Sequence, residues 1–366
     1  MKATLPTRDF QIAVSNAGRV TGKHLSLPIL RCLLVVTTKN EITIRATNLD
    51  LGIEIRIPAR VEKEGVFAVP ADVLDAFVSN ISSGDVLTIS HEGSTLHLST
   101  PKTKAKIGTF SHEDFPSLPA VPDEEHFTVG AGEFAGALRS VSWAASASSI
   151  KPELGSVYLY PNGDELVFVA TDSFRLAEKK IPAKPSKKFE SLLIPLRNVT
   201  EIIRHLEESK RDVVIRGDGH QIALTLDGTY ITSRVIEGVF PDYHQIIPKT
   251  HDTDAVLLKQ DLADALKQLR VFSDQFNKLT ASIDPKKKTF TLASANQTTG
   301  ESIVTLDAAL SGEPLELHFN LLFVSDCLQS VRTDSVKIEF GGGGKPARIT
   351  PIGDASFVYI VMPMNR

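Results

Sequence analysis

Asp172 and Ser173 sit side by side in Val-Ala-Thr-Asp-Ser-Phe-Arg-Leu-Ala, residues 169–177, and this carboxylate–hydroxyl pair is the chain's nearest approach to hydrolase chemistry. A nucleophilic serine needs a base within hydrogen-bond reach and a third group to orient that base. The ten histidines lie mainly beside loops and turns, and none shares a motif with an acid and a nucleophile. No G-x-S-x-G, Walker A, H-E-x-x-H or C-x-x-C pattern occurs, and no His/Cys/Asp cluster has metal-ligand spacing. The expectation is therefore no catalytic residue, no metal and no cofactor. Gly341-Gly342-Gly343-Gly344-Lys345 imitates a phosphate loop but lacks the following Ser/Thr and helix, so it reads as a hairpin loop. Gly217-Asp218-Gly219 reads as a hairpin turn.

What remains is the placement of charge. The net charge is −4, which argues against a simple basic nucleic-acid-binding domain but not against positive charge gathered on one surface. Arg139, Arg197, Arg204, Lys267 and Arg270 fall on expected helices. Singly they read as solvated helix faces. Gathered on helices that face one way, they would contact phosphates without reading sequence, and salt would weaken those contacts.

The elements that must position these residues follow from the patterning. The 366 residues are 42% hydrophobic and 23% charged, which suits two to three globular domains. No apolar run of transmembrane length occurs, and Met1–Pro6 reads as leading straight into structure without a signal segment, so a cytoplasmic location is expected. Cys32 and Cys327 read as two buried free thiols.

The stretch at 169–177 has a second copy at residues 45–53, with Thr47 standing 124 positions before Thr171, and a fainter third at 292–297. Pro70 and Pro195, each opening an expected helix, are 125 apart, as are Phe115-Pro116 and Phe240-Pro241. Asn320 stands another 125 beyond Pro195. Each period holds two amphipathic helices and several consecutive short β-runs, which points to antiparallel sheets with helices on one face. The expected fold is α+β: three tandem repeats over 1–120, 127–248 and 254–366. Thr7 is the expected N-cap of the first helix.

With these motifs assembled, the chain resembles the bacterial β sliding clamp family, the processivity factors of replicative DNA polymerase (DNA polymerase III subunit beta). The resemblance rests on Leu27-Pro28-Ile29-Leu30, Ala46-Thr47-Asn48-Leu49-Asp50, Ala170–Ala177, Phe240-Pro241-Asp242-Tyr243 and Tyr359–Met364, and it spans all three repeats in order. It implies a DNA clamp fold closing as a head-to-tail dimeric ring, with helices toward encircled duplex DNA and no enzymatic activity. The implied partners are a second copy of the chain, the replicative polymerase, the clamp loader, and other polymerases and repair proteins carrying short Leu/Phe motifs.

The resemblance also implies a peptide pocket between the second and third repeats. From the second repeat and its linker it would draw Leu154, Thr171, Ser173, Phe174, Arg175, Leu176, Pro241, Gln245 and Ile246. From the third it would draw Phe276, Asn320, Phe323, Ile360, Val361, Met362, Pro363 and Met364. An apolar cleft with a few polar groups suits a linear motif, and methionine suits several partners because it repacks easily. The family commonly has Gly-His where this chain has Ser173-Phe174, and often arginine where it has Gln245. For DNA, the residues implied are Lys23, His24, Arg139, Arg197 and Arg204, His24 standing where a basic residue is common. Ring closure would bring Ile107 and Phe110 near Val271 and Phe272 of another copy, unless Ile107 and Phe110 face their own core. A repeat-built scaffold that binds only proteins, without encircling DNA, is the alternative.

Overall fold

Thr47 and Thr171 end strands at the same kind of turn, and that turn shows why the motif is repeated. The computed structural model describes residues 1–22, 27–82, 84–122, 126–148, 150–185, 189–207 and 209–364. In the first copy the Thr47 hydroxyl donates to the Leu51 carbonyl and accepts from the Leu49 amide, while Asn48 Oδ1 accepts from the amides of Asp50 and Leu51. In the second, Thr171 donates to the Arg175 carbonyl and accepts from the Ser173 amide, and Asp172 Oδ1 accepts from Phe174 and Arg175. A hydroxyl and a short side-chain acceptor satisfy four backbone groups in a turn with no ladder of its own. Each turn has one residue in the left-handed region, Leu49 at φ 76° and Ser173 at φ 78°.

Two compact units result, and they do not follow the sequence repeats. The first comprises residues 1–135 and 185–235, the second 136–184 and 236–366. In the first unit, strands Arg60–Lys63, Lys2–Pro6, Val86–Glu92, Thr95–Ser99 and Lys104–Gly108 form one sheet in that order. A second runs His126–Gly130, Asp212–Gly217, Gln221–Leu226, Thr229–Arg234, Leu51–Pro58, Glu41–Thr47, Cys32–Thr38 and Gly65–Pro70. Every pairing in these sheets is antiparallel. Thr229–Arg234 pairs with Leu51–Pro58, so a strand from the second period continues a sheet of the first.

Helix α1 (Thr7–Gly18) buries Phe10, Ala13, Val14 and Ala17 against these strands and packs on α2 (Ala71–Val78). Gln11 Nε2 donates to the carbonyls of Val78 and Ile81, supplying partners that the end of α2 lacks within itself. Pro6 and Pro70 occupy the N-cap positions, so Thr7 is the first helical residue and its hydroxyl bonds the Asp85 carbonyl. The expected cap at Thr7 is thus corrected by one residue. Helix α3 spans Ala131–Ser142, and α4 (Leu196–Glu207) buries Asn198, Val199, Ile202, Ile203 and Leu206.

In the second unit, antiparallel strands run Ser156–Asn162, Glu165–Thr171, Arg175–Pro182, Phe357–Val361, Ala347–Pro351, Ser335–Phe340, Thr253–Leu258 and Ala308–Gly312. A four-stranded sheet of Gly300–Leu306, Thr289–Asn296, Lys278–Asp284 and Leu315–Asn320 lies in the same unit, with α5 (Lys259–Arg270) and α6 (Leu321–Cys327). The strands opening each period (Lys2–Pro6, His126–Gly130 and Thr253–Leu258) are short and were not read from the sequence. The loops at 217–219 and 341–345 do join strands as hairpins, with Gly219 at φ 80°. Cys32 and Cys327 are buried free thiols. Burial raises the Cys32 pKa to about 11, which keeps it a thiol at neutral pH. Among the described residues, no helix is long and apolar enough to cross a membrane and no metal-ligating cluster occurs.

Candidate peptide-binding site

Arg175 organises the site within the second unit. Its Nε donates to Asp172 Oδ2 at 2.9 Å, one terminal nitrogen to Asp326 Oδ2 at 2.7 Å, and the other to the Trp143 carbonyl at 2.9 Å. The guanidinium carbon lies 4.3 Å from the Phe323 ring centre and 5.3 Å from that of Trp143. Burial acts to lower the Arg175 pKa, but the bonds to Asp326 and Asp172 outweigh it and hold the charge above its ordinary value. Arg175 is therefore a half-buried strut between the Thr171 turn, the end of α3 and α6, rather than a rim charge. Trp143 Nε1 donates to Ser330 Oγ, and the indole lies 5.2 Å from the ring of Tyr359, whose hydroxyl donates to the Phe323 carbonyl.

The end of the chain is tied to this strut. The Met362 amide donates to the Phe174 carbonyl, and that of Met364 to the His318 carbonyl, which extends the chain past its last strand. Opposite, Asp274 Oδ1 accepts from the amides of Phe276 and Lys278, closing a loop that leaves Phe276 61% exposed. Phe174 is 63% exposed. Between these elements lies a crevice of about 520 Å³, lined by Phe174, Gln275, Phe276, Asn277, Asn320, Phe323, Met362, Pro363 and Met364. It has the size and the largely apolar walls of a ligand site.

The structure therefore brings together seven of the residues named from the sequence: Phe174, Phe276, Asn320, Phe323, Met362, Pro363 and Met364. Asn320 has a further task, since its side chain caps α6 through the Leu322 and Phe323 amides. Ser173, Pro241, Gln245 and Ile246 are exposed but line no part of this crevice. Leu154, Thr171, Leu176, Ile360 and Val361 are buried, at 6%, 6%, 2%, 2% and 1% exposure, and this corrects the expectation that each offers surface to a peptide. Val361 pairs with Arg175 inside the sheet and is covered together with its neighbours Tyr359 and Ile360. Gln275, Asn277, Trp143, Asp172 and Asp326 were missed. Asn277, at φ 55°, was the one with a signal, a polar residue suited to a left-handed turn.

Models of the DNA polymerase III beta subunit match this chain in order: the N-terminal domain at residues 1–119, the central domain at 128–242 and the C-terminal domain at 244–365. The chain belongs to the DNA polymerase III beta subunit family. It is 28% identical over 380 residues to the beta sliding clamp of Synechococcus elongatus, covering 100% of this chain and 99% of that one. It is 24% identical over 370 residues to that of Escherichia coli K12, covering 100% of both. Among solved structures it superposes on the DNA polymerase III beta subunit of Thermotoga maritima with a TM-score of 0.93 at 26% identity, over 100% of this chain and 99% of that one. It also matches the Pseudomonas aeruginosa sliding clamp bound to griselimycin, with a TM-score of 0.95 at 22% identity and 100% coverage of both, a likeness of fold.

The remaining family-implied positions can now be placed. Arg197 and Arg204 lie two turns apart on the exposed face of α4, paired with Asp50 (2.6 Å) and Glu201 respectively. Arg139 is exposed near the end of α3. Lys23 and His24 lie outside the described residues. Phe110 and Val271 are 56% and 68% exposed, and Phe272 is intermediate. Ile107 is 7% exposed, because alternation along Lys104–Gly108 turns it toward its own sheet, so it offers little to another copy.

Proposed function

We infer that the chain is a DNA polymerase processivity factor that acts as a ring of two copies around duplex DNA. Topological linkage would let it slide while the crevice beside Phe174, Phe276 and Met364 holds a polymerase or another partner by a short Leu/Phe motif. This reading includes the three-part division 1–120, 127–248 and 254–366, action without catalysis, and residence in the cytoplasm with the chromosome. Whole-length membership of the sliding-clamp family carries it. The preformed apolar crevice at the chain end supports the peptide role, and the exposed Arg197 and Arg204 of α4 support non-specific phosphate contact.

Two measurements test the reading. A dimer in solution should stay on circular DNA and slide off once that DNA is cut. Equal retention on both forms would refute encirclement and favour the protein-only scaffold. Met362→Ala with Met364→Ala should weaken a Leu/Phe peptide while leaving the dimer intact, and an unchanged calorimetric affinity would reject the crevice.

A further inference from the structure

The five-stranded sheet of the first unit carries two rows of polar side chains on the side away from its core. Leu5, Leu87, Ile89, Leu96 and Leu98 point to the other side, all at 2% exposure or less. Directly paired residues share a face, and so do residues two apart in one strand. One row reads Lys63, Lys2, Ser90, His97 and Lys106, each paired with the next across the strands. The other reads Arg60, Thr4, Thr88, Ser99 and Lys104. Cations thus stand at both edges of the sheet, with hydroxyls and one imidazole between them. Four strand spacings separate the edges, about 19 Å.

The charge on these strands is one-sided. They hold five cations, Arg60, Lys63, Lys2, Lys104 and Lys106, against two acids, Glu62 and Glu92, in a protein of net charge −4. Neither acid lies in the two rows. Glu62 meets Lys2 at 2.7 Å, and Glu92 stands one row further along, opposite Thr95. Lys2, and to a lesser degree Arg60, hold the Glu62 carboxyl below its ordinary pKa. Among the described residues, Arg60, Lys63, Lys104 and Lys106 are exposed and form no ion pair.

The third repeat has the same rows with their charges settled. Counted back from the helix that each opening strand leads into, Lys2 corresponds to Asp254 and Thr4 to Val256. Asp254 faces Glu339, Glu339 faces Arg348, and Val256 faces Lys337. Lys337 lies 3.3 Å from Asp254 and 2.9 Å from Glu339, while Arg348 lies 3.5 Å from Glu339. There both cations have carboxylates, whereas four in the first repeat have none. The open charge is therefore a property of this repeat and not of the fold.

We propose that this sheet face is a second DNA-binding surface, one that holds duplex DNA by its phosphates. It goes beyond the ring reading, whose DNA contacts lie on helices. Lysine, arginine and hydroxyl side chains all bond phosphate oxygens, and such contacts carry no sequence information. A span of about 19 Å reaches both backbones beside a major groove about 12 Å wide. A single strand fits less well, because the rows offer one imidazole and no larger ring on which bases could stack. A bilayer also fits less well, because neither row has an apolar side chain to insert beside the charges.

The probe is covalently closed circular duplex DNA, which a closed ring cannot thread, mixed with the full-length protein and followed by co-sedimentation. Four phosphate contacts give a log–log salt slope of about −3.6, a loss of roughly a hundredfold from about 50 to 200 mM salt. At higher salt the contact is gone, so topological retention can be read without it. Arg60→Gln with Lys63→Gln should halve the slope, and so should Lys104→Gln with Lys106→Gln at the opposite edge. The first pair lies away from the edge that ring closure would use, so the test stands even where the second disturbs the dimer. The first pair should also leave Leu/Phe-peptide affinity beside Met364 unchanged, which separates failure here from failure of the clamp reading. Four results would each overturn the proposal: an unchanged slope in both variants, loss of binding only in Arg197→Gln with Arg204→Gln, or, at equal phosphate, tighter binding to a single-stranded circle or to phosphatidylglycerol vesicles.

Discussion

Replacing Arg175 with alanine removes a strut that joins three elements, and its cost can be worked from the contacts. The side chain is 12% exposed, Asp172 is 16% and Asp326 is 39%. Removing one partner of a fully buried ion pair costs about 3–5 kcal/mol. Here Asp326 can turn to water and Asp172 keeps the Phe174 and Arg175 amides, so the ionic part reduces to about 2 kcal/mol. The stranded Trp143 carbonyl adds about 1 kcal/mol, and the lost stacking on Phe323 another 0.5–1 or so. The expected loss for Arg175→Ala is therefore about 3–4 kcal/mol. Trp143 is the chain's one tryptophan and lies beside the guanidinium, so urea unfolding followed by its fluorescence reads the second unit directly. Arg175→Lys should recover less than half, since one ammonium cannot serve three directions. Affinity for a Leu/Phe peptide should fall too, because Phe174 sits on the turn that Arg175 holds. A loss below about 1 kcal/mol, or full rescue by lysine, would refute the strut argument.

Ser173→Gly should stabilise the protein by about 0.5–1 kcal/mol: relief of a left-handed residue, about 1–2, exceeds the added unfolded-chain entropy. A drop in the urea midpoint would show that Ser173 contributes something beyond its backbone. His205 is depressed from 6.5 to about 4 by burial and by Arg19 and Arg204. The unfolded chain therefore takes up that proton first, and stability falls as pH drops from about 6.5 toward 4, by up to roughly 3 kcal/mol. His205→Gln should flatten that limb of the stability–pH curve, and an unchanged slope would contradict the assignment. Tyr243→Phe removes the phenol bonded to the buried Glu178 carboxylate, which keeps Lys180 at 3.4 Å, and to the Tyr160 hydroxyl, and should cost about 1–2 kcal/mol in urea unfolding, whereas a cost under about 0.5 would mean water replaces the phenol.

Much of this was legible in the residues alone. The period near 124 is written in repeated turns, and those turns need a hydroxyl followed by a short acceptor whatever surrounds them, so Thr47-Asn48 and Thr171-Asp172 mark the same bend twice. Helix positions followed from apolar spacing, and the apolar chain end pointed to the crevice. The opening strands were missed because five or six residues carry too little alternation to stand out.

What tertiary structure decided is which side each residue faces and which strand it meets. Composition could not tell Val361, turned into the sheet, from Met362, whose amide bonds the Phe174 carbonyl at the crevice. Nor could it show that Thr229–Arg234 would join Leu51–Pro58, and that pairing alone sets Tyr230 beside Glu54. Local hydrogen-bonding needs are fixed by neighbours in sequence. The registers of Thr229–Arg234 on Leu51–Pro58 and of Arg175 on Val361 are set by partners more than a hundred residues away, which is why the repeat and the role of the chain end were readable and the side each residue faces was not.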